Sequence, residues 1–515
     1  MSNGIHHVTL ITGKVQPNVD FYAGFLGLRL VKQTAGYEDT EQLHLFYGDQ
    51  HGNPGSLVTF LVWEDGVRGR AGHGQISEIA LAIDQSAIGF WLERGLRQRI
   101  AIEGPKLEMG ETVLRLKDPD GVIVKLVASK LKSPEAAVAS DIPAYAAVQR
   151  LQGVTLLSEV PEQTQAFLVR HFGLQPDLQE GTISRLISQS GDYLDVRDAT
   201  GFWEAMQGTG TVDHVALRAN NVGEIEAISA EFTKLNAVET TVHDRKYFHS
   251  LYVREPGGSL IEFATDAPGM SVDEDLADLG KTLFVPPASE GDLGDISLRL
   301  PQFALPGEER VIYRELPFIH RIYQPENPDG TFMVLLHGTG GNENDLMPLA
   351  HKIAPNATLI GVRGRATEEG VHRWFKRITM SRFDQADIAF EGQAFAAFVE
   401  GIVASYQVDL SKTVFLGYSN GANLLGAILR LHPHLLQKVI LLRGGEVLEN
   451  APTPDLSDVS VLMVNGEDDI YGGFAKPLVQ ALETGGAKLE AEMLKIGHNL
   501  VEDDVTRSQQ WLALK

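Results

Sequence analysis

One pattern of apolar and polar positions recurs four times in the first half of the chain. The runs His7-Val8-Thr9-Leu10, Glu78-Ile79-Ala80-Leu81, Gly153-Val154-Thr155-Leu156 and His214-Val215-Ala216-Leu217 all read as short strands. Each is followed by a stretch with apolar residues at helical spacing, such as 18–27 or 222–236, and then by further alternating runs. The repeated unit is therefore βαβββ. Three units close on a Pro-Gly reversal followed by a β-branched strand, at 53–60, 118–126 and 255–263. The third unit's ending, near Tyr193-Leu194-Asp195-Val196, is weaker.

After residue 266 the period is lost. An acidic, Pro-containing stretch runs through Asp273-Glu274-Asp275 and Pro286-Pro287 to about Pro317 and reads as a linker with some packed pieces. Beyond it, strand-like runs at 332–336, 413–416, 459–464 and 489–494 alternate with helical stretches such as 389–406 and 422–431. That alternation predicts a parallel α/β sheet. The expected order is thus α+β then α/β: paired modules one and two over residues 1–130, paired modules three and four over 145–268, the linker and packed extension over 269–317, and the α/β domain over 318–515.

Composition narrows the chemistry. The 44 basic and 68 acidic residues give a net charge of −24, a field that repels nucleic acid and anionic membrane surfaces. With no cysteine there is no disulfide, thiolate metal site or Cys nucleophile, so any metal must sit on His and carboxylates. The N-terminal residues lack a basic-then-apolar signal pattern, and no uninterrupted apolar run reaches the roughly 18 residues of a membrane helix, so a cytoplasmic location is expected.

Aligning the repeats on one another sharpens this. The first-strand position holds His7, Glu78, Gly153 and His214; the last-strand position holds Thr59, Lys125 and Glu262 where it is readable. If repeats one and four face each other across a cup, its inward corners are His7, Thr59, His214 and Glu262. Two imidazoles and one carboxylate form a facial triad with open positions, which favours non-haem Fe(II); Mn(II) suits it too. A single strand histidine is ordinarily a core or surface residue, but three such groups in equivalent inward register are hard to obtain from packing, because an unpaired inward Glu262 is costly to bury.

Here the residues carry a resemblance. The repeats resemble the vicinal oxygen chelate (glyoxalase-like) superfamily. The segments Leu30-Val31-Lys32-Gln33-Thr34, His44-Leu45-Phe46-Tyr47-Gly48-Asp49 and Arg254-Glu255-Pro256-Gly257-Gly258 resemble its hydroquinone-type ring-cleaving dioxygenases, over about residues 4–300. The resemblance implies iron ligands at His7, His214 and Glu262, in agreement with the self-alignment. It also implies neighbouring groups at His6, Arg245 and Tyr252 that would orient a phenolate, stabilise developing charge or move a proton. Ordinary alternatives stand beside these: His6 on the opposite strand face, Arg245 in a surface ion pair, Tyr252 in a core. One departure is Asp213, where the family tends to have a second histidine.

In the second half, Gly417-Tyr418-Ser419-Asn420-Gly421 joins a strand-like run to a helical one, the context of a nucleophile elbow. An acid after the next long strand and a later histidine complete the Ser, Asp, His order of an α/β-hydrolase: Asp469, with Asp468 as the alternative, and His498. Backbone N–H groups of Asn420 and Thr339 would form the oxyanion hole, and His337 reads as structural. Residues 318–515 resemble the carboxylesterase/phospholipase group of serine hydrolases, with Arg373-Trp374-Phe375 strengthening the match and Asn465 standing where that group commonly has His. The resemblance puts the acid on Asp469.

Other motifs carry less. Gly280-Lys281-Thr282 ends like a phosphate-binding loop but lacks its first glycine and its preceding strand. The acidic run 273–278 reads as a solvated face, and the basic-aromatic run 372–377 as packing near the hydrolase pocket. The expectation is a bifunctional enzyme: an Fe(II)-dependent dioxygenase opening hydroquinone-like aromatics with O₂, fused to a serine hydrolase that acts on an ester or on the acyl product of ring cleavage. Neither nucleic acid nor membrane is an expected partner, and self-association stays open. The rival readings are a glyoxalase-like lyase or isomerase, or a ligand-binding or resistance domain, fused to the same carboxylesterase.

Overall fold

The computed structural model describes residues 4–37, 39–133, 135–137, 139–234, 241–379 and 381–514. The chain divides into two compact units. One runs to Gly291 and takes in Gln302–Arg310; the other holds Asp292–Pro301 and everything from Val311 on.

In the first unit the four repeated runs lie in strands Ile5–Thr12, Gln75–Ile83, Leu151–Ser158 and Thr211–Ala219. Ile5–Thr12 pairs antiparallel with Thr211–Ala219, Val8 opposite Val215, and these two strands form the centre of a nine-stranded sheet. Gln75–Ile83 pairs likewise with Leu151–Ser158 at the centre of an eight-stranded sheet. Within each module the first strand runs parallel to the last, as Val8 beside Val58 and Val215 beside Ile261. The sheets therefore join module one to module four and module two to module three, whereas sequence order suggested pairs within 1–130 and within 145–268. The first strands are buried along nearly their whole length, as central strands covered on both faces are, but burial does not select which repeat lies alongside. The weaker third ending is a strand too, Tyr193–Asp198. The helix expected at 18–27 is a short α-helix, Val15–Val19, running into a wider π-helical segment, Asp20–Phe25. The one expected at 222–236 is Val222–Lys234, residue 236 lying outside the described residues.

The stretch 269–317 is shared out between the units. Leu283–Phe284 extends the edge of the nine-stranded sheet beside Gln33 and Thr34. Asp273 and Glu274 close over the ammonium of Lys32, which is 1% exposed, Asp273 at 2.6 Å. The acidic run is thus a cap on a buried lysine and not simply a solvated face.

The second unit is built on a seven-stranded sheet in the order His320–Tyr323, Thr358–Val362, Phe332–Leu336, Thr413–Tyr418, Lys438–Leu442, Ser460–Gly466, Lys488–Leu494, parallel except for its first edge strand. Alternate residues feed two cores. Val334, Leu336, Phe415, Leu441 and Met463 pack on one side, and Met333, Leu335, Leu416, Leu442 and Val464 on the other, as a sheet covered by helices on both faces requires. Helix Gln385–Tyr406 is, among the described residues, the one long and apolar enough to cross a membrane, and it presents Ile388, Phe395, Phe398, Val399 and Ile402 to the first of these cores.

Candidate functional site

The central pair of the nine-stranded sheet brings together residues more than 200 positions apart. Nε2 of His7 lies 3.2 Å from Nε2 of His214, and Oε2 of Glu262 lies 2.9 Å from each. All three side chains are buried, Glu262 completely. Among the described residues this is the one group of three or more His, Asp or Glu side chains whose donor atoms converge closely enough to hold a metal ion. The donor set fits a cation on two counts. A buried carboxylate without a donor is costly, yet both Glu262 oxygens lack a hydrogen bond, the nearby imidazole nitrogens being out of alignment for one. A cation with bonds of about 2.1 Å at right angles needs donors roughly 3 Å apart, close to the spacing seen here.

Each imidazole is anchored at its other nitrogen. Ile5 pairs with Leu217 and His7 with Ala216, so two residues stand against one and the strand bulges at His6. The bulge brings Nδ1 of His6 to 2.9 Å from Nδ1 of His7 instead of leaving His6 on the far face. Burial, reinforced by His7, holds His6 down to about 3, so it is neutral and free to share one proton with its neighbour. On the other side Asp213 accepts from Nδ1 of His214 at 2.6 Å and is itself held by the Gln207 amide. Burial alone would depress His214, but the Asp213 hydrogen bond and Glu262 outweigh it and push the ring up to about 9. Glu262, despite complete burial, is held well below the usual carboxylate range by His7 and His214. The electrostatics favour positive charge where the three donors converge.

Of the other residues picked out, Tyr252 packs its ring edge-on against His214 with centroids 5.3 Å apart, and the Arg245 guanidinium lies 5.8 Å from the centre of that ring and 5.2 Å from the ring of Tyr37. Burial, with Glu262 adding to it, raises the Tyr252 phenol well above its ordinary value, so it stays a proton donor. Thr59, the fourth corner, bonds its hydroxyl to that of Thr9 at 2.9 Å and to Nε2 of His44 at 3.0 Å, and Thr9 reaches Nε2 of His214 at 2.9 Å. Thr9 and His44 were not singled out as site residues from sequence. Thr9 was open to detection, standing two residues after His7 on the same strand face; His44 opens a segment that carried the family resemblance but was given no role in the site. In the other sheet the equivalent positions hold a Glu78–Lys125 ion pair at 3.1 Å, charges that satisfy each other.

In the second unit, Ser419 sits at φ 51°, ψ −112° between strand Thr413–Tyr418 and helix Asn420–Leu431. The turn needs its glycines: a Cβ on Gly417 would come within 2.6 Å of the Ala422 nitrogen, and one on Gly421 within 2.1 Å of the Leu336 carbonyl oxygen. Ser419 Oγ lies 2.9 Å from Nε2 of His498, whose Nδ1 lies 2.8 Å from Oδ2 of Asp469. Asp469 is buried and Asp468 exposed, so the geometry selects the former. Thr339 and Asn420 line the same cavity of about 290 Å³ as Ser419 and His498. His337 accepts the Gly364 N–H through Nε2 and is structural, and Asn465 donates to the Gly444 carbonyl.

Comparison with known proteins agrees with both halves. Residues 4–126 match the family described as the Glyoxalase/Bleomycin resistance protein/Dioxygenase superfamily. MhqO of Bacillus subtilis, provisionally named a ring-cleaving dioxygenase, is 35% identical over 55% of this chain and 91% of its own length. The chlorohydroquinone/hydroquinone 1,2-dioxygenase of Sphingobium indicum is 30% identical over 56% of this chain and 92% of its own. MhqD of B. subtilis, provisionally named a hydrolase, is 30% identical over 37% of this chain and 96% of its own.

Proposed function

The chain belongs, over its first unit, to the ring-cleaving dioxygenases of the glyoxalase superfamily and, over its second, to the family of the hydrolase MhqD; from that premise we propose that it is a bifunctional enzyme, a dioxygenase of hydroquinone-like aromatics fused to a serine hydrolase. The observation that carries the first activity is the convergence of His7, His214 and Glu262 on one point. In this reading the three hold Fe(II), with Mn(II) as a substitute, and the metal supplies the redox chemistry that lets O₂ react with the ring. The remaining work falls to the chain. His6 and Asp213 fix the two imidazoles in the tautomer that leaves each Nε2 free for the ion. Tyr252, a phenol kept protonated by its surroundings, donates to a substrate oxygen, and Arg245 supplies a permanent positive charge beside it. Opening a hydroquinone between a hydroxylated carbon and its neighbour, with both atoms of O₂, turns the former into a carboxylate and the latter into an aldehyde or, where it bears a leaving group, an acyl derivative.

That acyl derivative is a natural substrate for the second site. Ser419 Oγ attacks a carbonyl carbon while Nε2 of His498 takes its proton; the proton passes to the leaving group, and water repeats the sequence to free the acid and restore Ser419. Asp469 keeps the imidazole tautomer and stabilises the imidazolium. Covalent fusion keeps a reactive intermediate at high local concentration. The absence of cysteine fits a cytoplasmic setting.

Protein purified without air, loaded with Fe(II) and given hydroquinone should take up O₂ in proportion to substrate opened. Metal-dependent turnover without O₂ uptake would instead favour the lyase or isomerase reading.

A further inference from the structure

The hydrolase cavity runs against the charge of the chain. Its lining includes Arg373, Arg377, Arg443 and Glu446 beside the Ser419–His498 pair. Two of these charges are already spent. Arg443 forms a two-pronged ion pair with Asp504, at 2.8 and 2.9 Å, and donates to the carbonyls of Gly497 and Asn499; Glu446 is bound by Arg430. Arg373 differs. It is only 5% exposed, and its buried Nε makes no hydrogen bond, the Glu368 carboxylate lying 3.4 Å away out of alignment. The other oxygen of Glu368 is occupied by the backbone N–H of Arg377 at 3.0 Å. The acid beside the Arg373 guanidinium is thus already engaged by a backbone donor.

The position of Arg373 is fixed relative to the nucleophile. Trp374, the residue after Arg373, donates its backbone N–H to the side chain of Asn420 and its indole N–H to the His337 carbonyl, both at 2.8 Å, which ties the segment to the residue that follows Ser419. Burial, with the charge of Arg377 added, disfavours the Arg373 cation, and a buried, poorly paired guanidinium is the state that an incoming anion relieves. The planar fork of arginine suits a carboxylate.

We infer that Arg373, with Arg377, forms a carboxylate-binding subsite in the hydrolase cavity, so that the substrate of Ser419 is an acyl compound that also carries a carboxylate. This rests on the serine-hydrolase reading of Ser419, His498 and Asp469 and goes beyond it by naming the substrate class. It also matches the chemistry of the first unit, because oxidative opening beside a ring hydroxyl leaves a carboxylate on the product.

The test uses the full-length protein and two chromogenic esters of similar acyl length, 4-nitrophenyl butyrate and the 4-nitrophenyl monoester of succinate. Wild type should prefer the anionic ester in kcat/KM by about tenfold or more, the effect of one or two charge-assisted hydrogen bonds. Arg373→Gln and, independently, the exposed Arg377→Gln should each shrink that ratio, with the change in KM for the anionic ester, and Arg373→Lys should restore part of it. Free succinate should compete with butyrate hydrolysis in wild type more strongly than in Arg373→Gln. If butyrate is cleaved but the ratio is near one, or is the same in the variants, the subsite is wrong and the hydrolase reading survives. If neither ester is cleaved and a fluorophosphonate fails to label Ser419, the hydrolase reading falls and the subsite falls with it.

Discussion

Asp213 Oδ2 and His214 Nδ1 lie 2.6 Å apart, and the ring so held directs its other nitrogen to the point shared with His7 and Glu262. In the first module the same position, one residue before His7, is His6. The two halves of the site are therefore built alike but not electrically alike: a neutral imidazole stands behind His7 and a carboxylate behind His214. A carboxylate behind a ligating imidazole orients it and makes it a stronger donor.

Asp213→Asn should weaken metal binding about 10- to 100-fold. Direct titration of stripped protein with Fe(II) or Mn(II), without substrate or O₂, reads this. Unchanged affinity would mean that Asp213 serves only the fold.

The two activities should be separable. Removing the metal with a chelator should stop hydroquinone-dependent O₂ uptake and leave ester hydrolysis intact, and Ser419→Ala should do the reverse. A chelator that stops both would show that the hydrolase needs the ion.

Lys32→Met should destabilise the first unit by about 3 kcal/mol, since it takes the cation from the largely buried Glu274, which keeps only backbone donors, and leaves Asp273 with Lys246 alone as its cation. Urea unfolding followed by first-unit probes measures it. Restoration by adding Asp273→Asn and Glu274→Gln would assign the loss to those charges, and no restoration would assign it to packing.

Asp118 offers a pH test. Burial lifts its carboxyl to about 6 from an ordinary 3.8, against the pull of the backbone N–H groups of Val122 and Asp120. The folded state then holds this proton more tightly than the unfolded chain does. Its contribution to stability is complete below 3.8 and is lost as pH rises through about 6, a difference of up to roughly 3 kcal/mol. Compared with Asp118→Asn in dilute solution, wild type should lose stability between pH 4 and pH 7; parallel curves would refute the assignment.

Much of this was legible in the chain because repetition supplied a ruler. His7 and His214 occupy equivalent first-strand positions in two modules and Glu262 the last-strand position of the second of them, so their convergence follows once those modules share a sheet. The elbow around Ser419 was legible because its glycines are demanded by close backbone approach, which leaves a local trace. What escaped had no local trace. Lys32 meets its acids 241 and 242 positions away. The bulge at His6 depends on the register of a partner strand and not on His6 itself. The joining of module one to module four is a choice among surfaces that look alike in sequence, since all four opening runs are apolar in the same way.

That joining sets an order of events during synthesis. The ribosome releases His7 long before Glu262, so a growing chain can display one imidazole but cannot bring the three donor side chains together until the fourth repeat has emerged and zipped onto the first. A cut between the second and third repeats would therefore put His7 on one fragment and His214 with Glu262 on the other, and neither fragment alone would retain the metal that the reassembled pair could hold.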